Sequence, residues 1–166
     1  MDYFLADLHN MDENIMTYEH RPFKSPVEMR ETLISNWNSA VNSVDTVYLL
    51  GDIGKTEILS RLNGQIIIVS GNHDDPEQIK KDFPEIEINV HPIMVGGLWL
   101  SHEPIGFMPP ECPYLNIHGH LHRFNYGLTK RRWSDGNRYF CVSAEQVGYT
   151  PISIEQIAEK LEYKQY

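Results

Sequence analysis

In the first half of this chain, each apolar segment of strand length is followed within two residues by a side chain that can bind a metal ion. Three such segments, predicted as strands, cover residues 2–6, 45–51 and 65–70. Patterns typical of helices separate them, and this alternation favours parallel strands covered by helices. Ligands bind outside the carboxyl ends of parallel strands, so Asp7, Asp52 and Asn72 are expected to lie together at one edge of the sheet.

Helix starts are indicated at several points. Ser25-Pro26-Val27-Glu28 is a capping box with proline at the first helical position. The apolar face of that helix is formed by Leu33, Ile34, Trp37 and Val41. A second helix is predicted near 56–62, and a last one from Ser153 with Gln156 in the capping-box position.

The second half of the chain is richer in strand patterns. Further strands are predicted over residues 86–90, 93–101, 114–118 and 137–143. Turn residues at Gly96-Gly97 and Ser134-Asp135-Gly136 favour antiparallel hairpins and a second sheet. The 166 residues, of which 41% are hydrophobic, suffice for a sizeable core. We therefore expect residues 1–166 to form a single domain.

Residues of metal-ligand type fall into five short blocks. These are Asp7-Leu8-His9, Gly51-Asp52, Gly71-Asn72-His73-Asp74, Ser101-His102 and Gly119-His120-Leu121-His122. The mixture of imidazole nitrogen with carboxylate and amide oxygen suits borderline first-row metals. Two ions roughly 3.5–4 Å apart need a bridging ligand, and a carboxylate such as Asp52 is suited to that role. A closed structural zinc site is disfavoured because the chain has no cysteine cluster.

Two of these blocks also allow a purely structural interpretation. The segment Gly71–Asp74 could be an ordinary strand-to-helix turn, because Asp75-Pro76 has the form of a helix cap and first turn. His118, His120 and His122 alternate with period two and could line one face of a strand.

The order and content of the five blocks resemble the calcineurin-like metallophosphoesterase superfamily, whose pattern is D-x-H, G-D, G-N-H-[D/E], H and G-H-x-H. Nearly the whole chain is similar to the short, stand-alone prokaryotic and phage-type phosphoesterases of that superfamily. The resemblance implies an α/β fold, an α+β sandwich of two mixed β-sheets packed face to face with flanking helices. One stretch departs from it: relatives often carry Phe-Gly-His where this chain has Asn10-Met11-Asp12, so one wall of the site becomes acidic.

The resemblance also implies two divalent metal ions per chain. One ion would be bound by Asp7, His9, His122 and Asp52, and the other by Asn72, His102, His120 and Asp52. Mn is favoured, and Fe, Zn, Co, Ni or Mg are compatible with these ligands. His73 would remain free to assist the leaving oxygen, and Asp74 would orient its ring.

The implied reaction is hydrolysis of a phosphate ester by in-line attack of a metal-activated hydroxide. A phosphodiester of a small, nucleotide-like substrate is favoured, while a phosphomonoesterase, a single-strand nuclease and a non-catalytic scaffold remain alternatives. The substrate-binding candidates are Arg21, His118, Lys130, Arg131 and Arg132. His118 has no place in the superfamily pattern, and the basic run 130–132 has an ordinary explanation as a solvated charge cluster.

The charge of the chain limits which binding partners are expected. Lys and Arg number 14 against 23 Asp and Glu, and the net charge of -9 disfavours binding to duplex nucleic acid. A small phosphorylated substrate, with nucleotides as candidates, is favoured instead.

Only Cys112 and Cys141 are present, and neither a signal peptide nor an apolar run of membrane-spanning length is seen. We expect a cytoplasmic protein that makes no membrane contact.

Overall fold

Parallel strands form the centre of the first sheet, as the alternating pattern predicted. The structure is a computed structural model that describes residues 1–106, 108, 112–124 and 138–162. The first sheet has the order β4-β3-β2-β1-β9. Its strands are β1 (Asp2–Leu5), β2 (Thr46–Leu49), β3 (Gln65–Val69), β4 (Glu87–Asn89) and β9 (Ile152–Ser153). All neighbouring pairs are parallel except β1 and β9.

A second sheet has the order β5-β6-β7-β8. Its strands are β5 (Ile93–Val95), β6 (Leu98–Ser101), β7 (Leu115–His118) and β8 (Tyr139–Cys141). Strands β5 and β6 form the antiparallel hairpin that Gly96-Gly97 predicted, so the segment 93–101 is two strands rather than one. The protein is therefore a mixed α/β structure with two mixed sheets.

One of the two predicted antiparallel hairpins, at Gly96-Gly97, is confirmed, and the other neighbouring pairs of β4 and of β6 to β8 are parallel. Strand β4 joins the first sheet in parallel. The helix α3 (Pro76–Asp82) returns the chain to the edge at which the parallel strands begin. The pairs β6–β7 and β7–β8 are also parallel, and long connections separate their strands. The turn predicted at residues 134–136 lies outside the described residues.

The remaining helices are α1 (Glu13–Tyr18), α2 (Pro26–Ala40), α4 (Ile154–Glu162) and a 3₁₀ helix over Thr56–Arg61. The short helix α1 was not predicted, although Asp12 caps it by accepting from the N–H groups of Asn14 and Ile15. The two-residue strand β9 was also not predicted, because it is too short to show a period. No helix among the described residues is both long and apolar enough to cross a membrane.

Alternate residues of the first sheet face two different cores. Leu5 and Leu49 face the helices, where they pack with Leu33 and Trp37 of α2. Phe4 and Leu50 face the second sheet. The core between the sheets is completed by Ala6, Tyr48, Val69, Leu100, Leu115, Ile117, Phe140, Val142, Ile152 and Ile157. The predicted inner face of α2 is confirmed, because Leu33, Ile34, Trp37 and Val41 are all buried.

The two sheets are joined by backbone hydrogen bonds at the ends of β1 and β8. The Ala6 N–H donates to the Val142 carbonyl at 3.0 Å, and the Ala144 N–H donates to the Ala6 carbonyl at 3.0 Å. These bonds place the segment after β8 beside the segment that begins at Asp7.

The predicted capping box at the start of α4 is present. The Gln156 side chain accepts from the Ser153 N–H at 2.9 Å, and the Ser153 hydroxyl accepts from the Gln156 N–H at 3.3 Å.

We predict that Ser153→Ala lowers the free energy of unfolding by about 1 kcal/mol, measured by urea denaturation. Ser60→Ala, which removes an exposed hydroxyl, should change it by less than about 0.5 kcal/mol. Equal effects of the two substitutions would contradict a capping contribution.

Candidate metal centre

All five blocks lie at the carboxyl ends of strands. Asp7, Asp52 and Asn72 follow β1, β2 and β3 of the first sheet, and His102 and His120 follow β6 and β7 of the second. Because the two sheets are joined at Ala6, these two edges meet. The structure therefore brings together the ligand-type residues from both halves of the chain.

These residues form two groups of nitrogen and oxygen atoms. Asp7, His9 and His122 each offer one atom within 4.8 Å of the others, and so do Asp52, His102 and His120. The Asn72 amide oxygen lies 3.0 Å from His102 Nε2, which places it beside the second group. The two groups could each bind a metal ion.

The Asp52 carboxylate belongs to the second group and also faces the first. Its Oδ2 atom is 3.4 Å from His9 Nε2 and also 3.4 Å from His102 Nε2. Its other oxygen accepts from the His73 N–H at 2.9 Å. One carboxylate oxygen thus faces a histidine from each group, which is the position that a bridging ligand requires.

Two histidine rings are held through one ring nitrogen, so that the other ring nitrogen points into the centre. His102 Nδ1 lies 2.8 Å from the Leu50 carbonyl oxygen, so its Nε2 faces Asp52. His122 Nδ1 lies 3.3 Å from the Glu145 carboxylate, and its Nε2 is 3.9 Å from Asp7. The buried Nε2 of His9 has no hydrogen-bond partner among the described residues. A buried, unpaired imidazole nitrogen aimed at a carboxylate fits a divalent cation well.

Most of the proposed ligands have an unusual backbone conformation. Positive φ angles are found at Asp7 (58°), His9 (45°), Asp52 (55°), His120 (69°) and His122 (46°). This left-handed region is uncommon for residues other than glycine, and such strain concentrates at functional sites. Hydrogen bonds keep the loops in place, among them one from the Asp7 N–H to the Gly51 carbonyl at 2.9 Å.

Glycines allow the ligand loops to approach closely. A Cβ atom at Gly71 would collide with the Asp52 carboxylate, and one at Gly51 would collide with the backbone of Gly71. A Cβ at Gly119 would lie 2.5 Å from the Ala6 Cβ and 2.7 Å from the Asp7 carboxylate. The glycines of the second, third and fifth blocks are therefore required by packing at the centre.

Burial and close charges shift the pKa values at the centre. Burial raises the pKa of Asp7. Burial would also raise the pKa of Asp52, but its contacts with His102 and His9 outweigh this and lower it. Burial alone would lower the pKa of His102, yet the carboxylates of Asp52 and Asp7 raise it to about 9. Binding of a metal ion by His102 at neutral pH would therefore be accompanied by release of a proton.

His73 lies beside the centre and is exposed to solvent. Its ring centroid is 5.5 Å from that of His9. Both histidines line a cavity of about 480 Å³. The other residues that line it are Asn10, Met11, Asp12, Glu13, Asn14, Gly54 and Lys55.

Asp74 does not occupy the position expected of it. Its carboxylate accepts from the N–H groups of Asp52 at 2.9 Å, Ile53 at 2.9 Å and Gly71 at 2.8 Å. Three backbone donors therefore occupy both oxygens, and no hydrogen bond to His73 is found among the described residues. Asp74 orients the loop that carries Asp52, in place of the His73 ring.

Arg21 was predicted to contact substrate, and the structure contradicts this. Its side chain is 0% exposed and forms an ion pair with Glu145 at 2.7 Å. The guanidinium also donates to the carbonyl oxygens of Asp7 and Leu8, each at 2.7 Å. A ligand cannot reach the guanidinium, because Glu145 and the backbone of Asp7 and Leu8 enclose it.

Glu145 was not predicted as a site residue, because it belongs to none of the five blocks. Its side chain is 2% exposed. Burial would raise its pKa, but His122 and Arg21 outweigh that effect and lower it. Glu145 also comes within 4.8 Å of Glu19 and His122, although Arg21 already binds its carboxylate. Burial and adjacency to His122 are tertiary features that no local sequence signal reports.

His118 was also a candidate for substrate binding, and it is instead fully buried. Its Nδ1 lies 2.8 Å from the Gly119 carbonyl oxygen, and its ring packs edge-on against Tyr139. Burial lowers its pKa to about 4. The third candidate group, Lys130, Arg131 and Arg132, lies outside the described residues.

The buried His118 should make the metal-free protein sensitive to acid. Its pKa is about 4 in the folded chain and about 6.5 when unfolded, so only the unfolded chain binds this proton between those values. Stability is therefore lost as the pH falls from about 6.5 towards 4. Between pH 7 and pH 5, with EDTA present, the loss due to His118 should be about 1–2 kcal/mol.

The measurement compares urea denaturation of the wild-type chain with that of His118→Gln at both pH values. The variant should lose less stability on acidification than the wild type, whatever its stability at pH 7. His91→Gln, which changes an exposed histidine, should keep the wild-type dependence. An unchanged difference between pH 7 and pH 5 in His118→Gln would contradict the assignment.

Comparison with known proteins shows what this chain is similar to. No established family profile matches it. The crystal structure of the protein of unknown function AQ665 from Aquifex aeolicus superposes with a TM-score of 0.72 at 27% identity, over 96% of this chain and 98% of that one. The nuclease MPE of Pseudomonas putida matches more weakly, with a TM-score of 0.47 at 18% identity over 73% of this chain and 61% of that one.

A relative of similar length comes from an archaeon. The uncharacterized protein MJ1445 of Methanocaldococcus jannaschii is 33% identical over 168 residues, which cover 96% of this chain and 90% of that protein. At that identity and coverage, the chain belongs to the same family as MJ1445.

Proposed function

We propose that this protein is a dinuclear metal-dependent phosphoesterase of the calcineurin-like metallophosphoesterase superfamily. The observation that carries the proposal is the position of Asp52, whose Oδ2 atom lies 3.4 Å from a histidine nitrogen of each donor group. A shared carboxylate between two sets of imidazole and carboxylate ligands is the arrangement of two-metal hydrolases. The ligand sets are Asp7, His9 and His122 with Asp52, and Asn72, His102 and His120 with Asp52.

The donor atoms guide the choice of metal. Four imidazoles would bind Mg²⁺ poorly, because that ion prefers oxygen ligands. Mn²⁺ accepts a mixed nitrogen and oxygen shell, and we propose it as the native ion, with Fe, Zn, Co or Ni as alternatives. When bound, the two ions would lower the pKa of a water molecule and neutralise charge on the phosphoryl oxygens.

His73 is the proposed catalytic residue. It is exposed, lies next to His9 and lines the cavity beside the centre, so a phosphate ester bound there would reach its ring. Its backbone N–H donates to Asp52, which fixes the start of the side chain relative to the proposed ligands. The imidazole would donate a proton to the leaving oxygen as the ester bond breaks.

The cavity supports a small substrate. Its volume of about 480 Å³ is within the usual range for small-molecule sites. Asp12 and Glu13 give part of its wall a negative charge, and Lys55 supplies a positive one. The net charge of -9 works against binding of long nucleic acids, whose backbone phosphates would be repelled. We therefore propose a phosphodiester of a small, nucleotide-like molecule.

The test uses metal-stripped protein that is reconstituted with Mn²⁺ and assayed against bis-p-nitrophenyl phosphate and p-nitrophenyl phosphate. We expect faster turnover of the diester and none without metal. His73→Ala should lower turnover by roughly 10²–10⁴-fold with its Mn²⁺ content unchanged. His91→Ala, at an exposed histidine outside the site, should retain full activity.

The other outcomes are also informative. Preference for the monoester would indicate a phosphatase with the same centre. Loss of Mn²⁺ from His73→Ala would show that His73 is a ligand and that the roles are misassigned. If the wild-type chain bound two Mn²⁺ ions and hydrolysed neither ester nor single-stranded oligonucleotides, catalysis would be rejected in favour of a binding role.

A further inference from the structure

A buried ion pair lies behind one of the two proposed metal positions. The side chains of Arg21 and Glu145 are 0% and 2% exposed. Arg21 Nη2 lies 2.7 Å from Glu145 Oε1, and Arg21 Nε donates to the same oxygen at 2.8 Å. The two residues are 124 positions apart in the chain, so this pair depends on the tertiary fold.

Arg21 connects this pair to the backbone of the first ligand block. Its Nη1 donates to the Leu8 carbonyl and its Nη2 to the Asp7 carbonyl, each at 2.7 Å. Asp7 and His9 both have left-handed backbone conformations on either side of Leu8. The planar guanidinium therefore fixes two carbonyls in the loop that presents both ligands.

Glu145 reaches the third ligand of the same position. Both of its carboxylate oxygens lie 3.3 Å from His122 Nδ1, so the opposite ring nitrogen faces Asp7. The His122 backbone is fixed nearby, because its N–H donates to Ser143 Oγ at 3.1 Å and its carbonyl accepts from Gln146 Nε2 at 2.7 Å. A carboxylate on the distal nitrogen of a ligating histidine fixes the ring and makes it a stronger donor.

The second proposed position has a different support. The distal nitrogen of His102 meets the neutral Leu50 carbonyl at 2.8 Å, in place of a carboxylate. The two positions therefore differ in the charge behind their histidines. A buried ion pair adds little stability, because the cost of desolvating both charges offsets their attraction. A positioning role therefore explains the Arg21–Glu145 pair better than a stabilising role.

We propose that Arg21 and Glu145 are positioning residues for the metal position formed by Asp7, His9 and His122, and that Glu145 raises the Mn²⁺ affinity of this position selectively. The inference rests on the proposed dinuclear centre. It concerns metal binding, so it is tested without substrate.

The experiment titrates metal-stripped wild-type chain and Glu145→Gln with Mn²⁺, by calorimetry and by electron paramagnetic resonance. The wild type should bind two ions and show the spectrum of a coupled pair. In Glu145→Gln one dissociation constant should rise roughly 10–100-fold while the other stays unchanged. At intermediate Mn²⁺ the variant should therefore show the six-line spectrum of an isolated ion.

Two further variants separate positioning from folding. The double substitution Arg21→Met with Glu145→Gln removes both buried charges, so it avoids an unpaired guanidinium and should show the same selective loss. Asp45→Asn is the matched control, since Asp45 is also a buried acid in an ion pair, with the N-terminal ammonium group at 2.9 Å. It lies at the opposite end of β2 and should leave both Mn²⁺ affinities unchanged.

Failure of the inference and failure of the proposed function are distinguishable. If the wild-type chain bound fewer than two Mn²⁺ ions, the dinuclear centre would be rejected and this inference with it. If the wild type bound two and the folded variants bound both with wild-type affinity, only the inference would be overturned. Equal weakening of both positions would also overturn it, because the ion pair would then support the whole centre.

Discussion

The centre depends on close backbone contact between loops that leave the two sheets at their carboxyl edges. Gly71 lies against the Asp52 carboxylate, and Gly119 lies against Ala6 and Asp7, in each case too closely for a Cβ atom. These contacts bring side chains as short as those of Asp7 and Asp52 within reach of histidines from the second sheet. The hydrogen bonds of Ala6 with Val142 and Ala144 hold the two edges in that arrangement.

Three of the acids at the centre have distinct environments. Asp52 faces a histidine from each donor group, Asp74 accepts from three backbone N–H groups, and Glu145 pairs with Arg21. Their side chains therefore serve different ends, although all three are carboxylates within one region. The first fits a shared ligand, the second accepts hydrogen bonds that hold the loops together, and the third lies behind the His122 ring.

Local patterns predicted most of the helices and strands. Strand-length apolar runs gave β1, β2 and β3, and the capping boxes at Ser25 and Ser153 gave the starts of α2 and α4. Strand direction in the second sheet could not be predicted in this way. It depends on the paths of the long connections between β6, β7 and β8, and turn residues such as Gly96-Gly97 report only the hairpin that they form.

The blocks of ligand-type residues were predicted to converge, and the structure places them together in two groups. The roles of the surrounding residues were harder to predict, because they depend on burial. Arg21 looks like an anion-binding residue in sequence, yet its guanidinium is enclosed. His118 continues the alternation of His120 and His122, yet it lies inside the protein. Neither fact can be inferred from residue type and spacing alone.

The left-handed conformations at the centre have a consequence for mutagenesis. Aspartate and histidine tolerate positive φ better than most residues, so backbone geometry and ligand chemistry favour the same amino acids at Asp7, His9, Asp52, His120 and His122. An alanine substitution at any of them would remove a proposed ligand and would also strain the loop. Asparagine at Asp7 or Asp52 preserves the tolerance for positive φ and keeps one side-chain oxygen, so it tests the need for the negative charge without straining the loop.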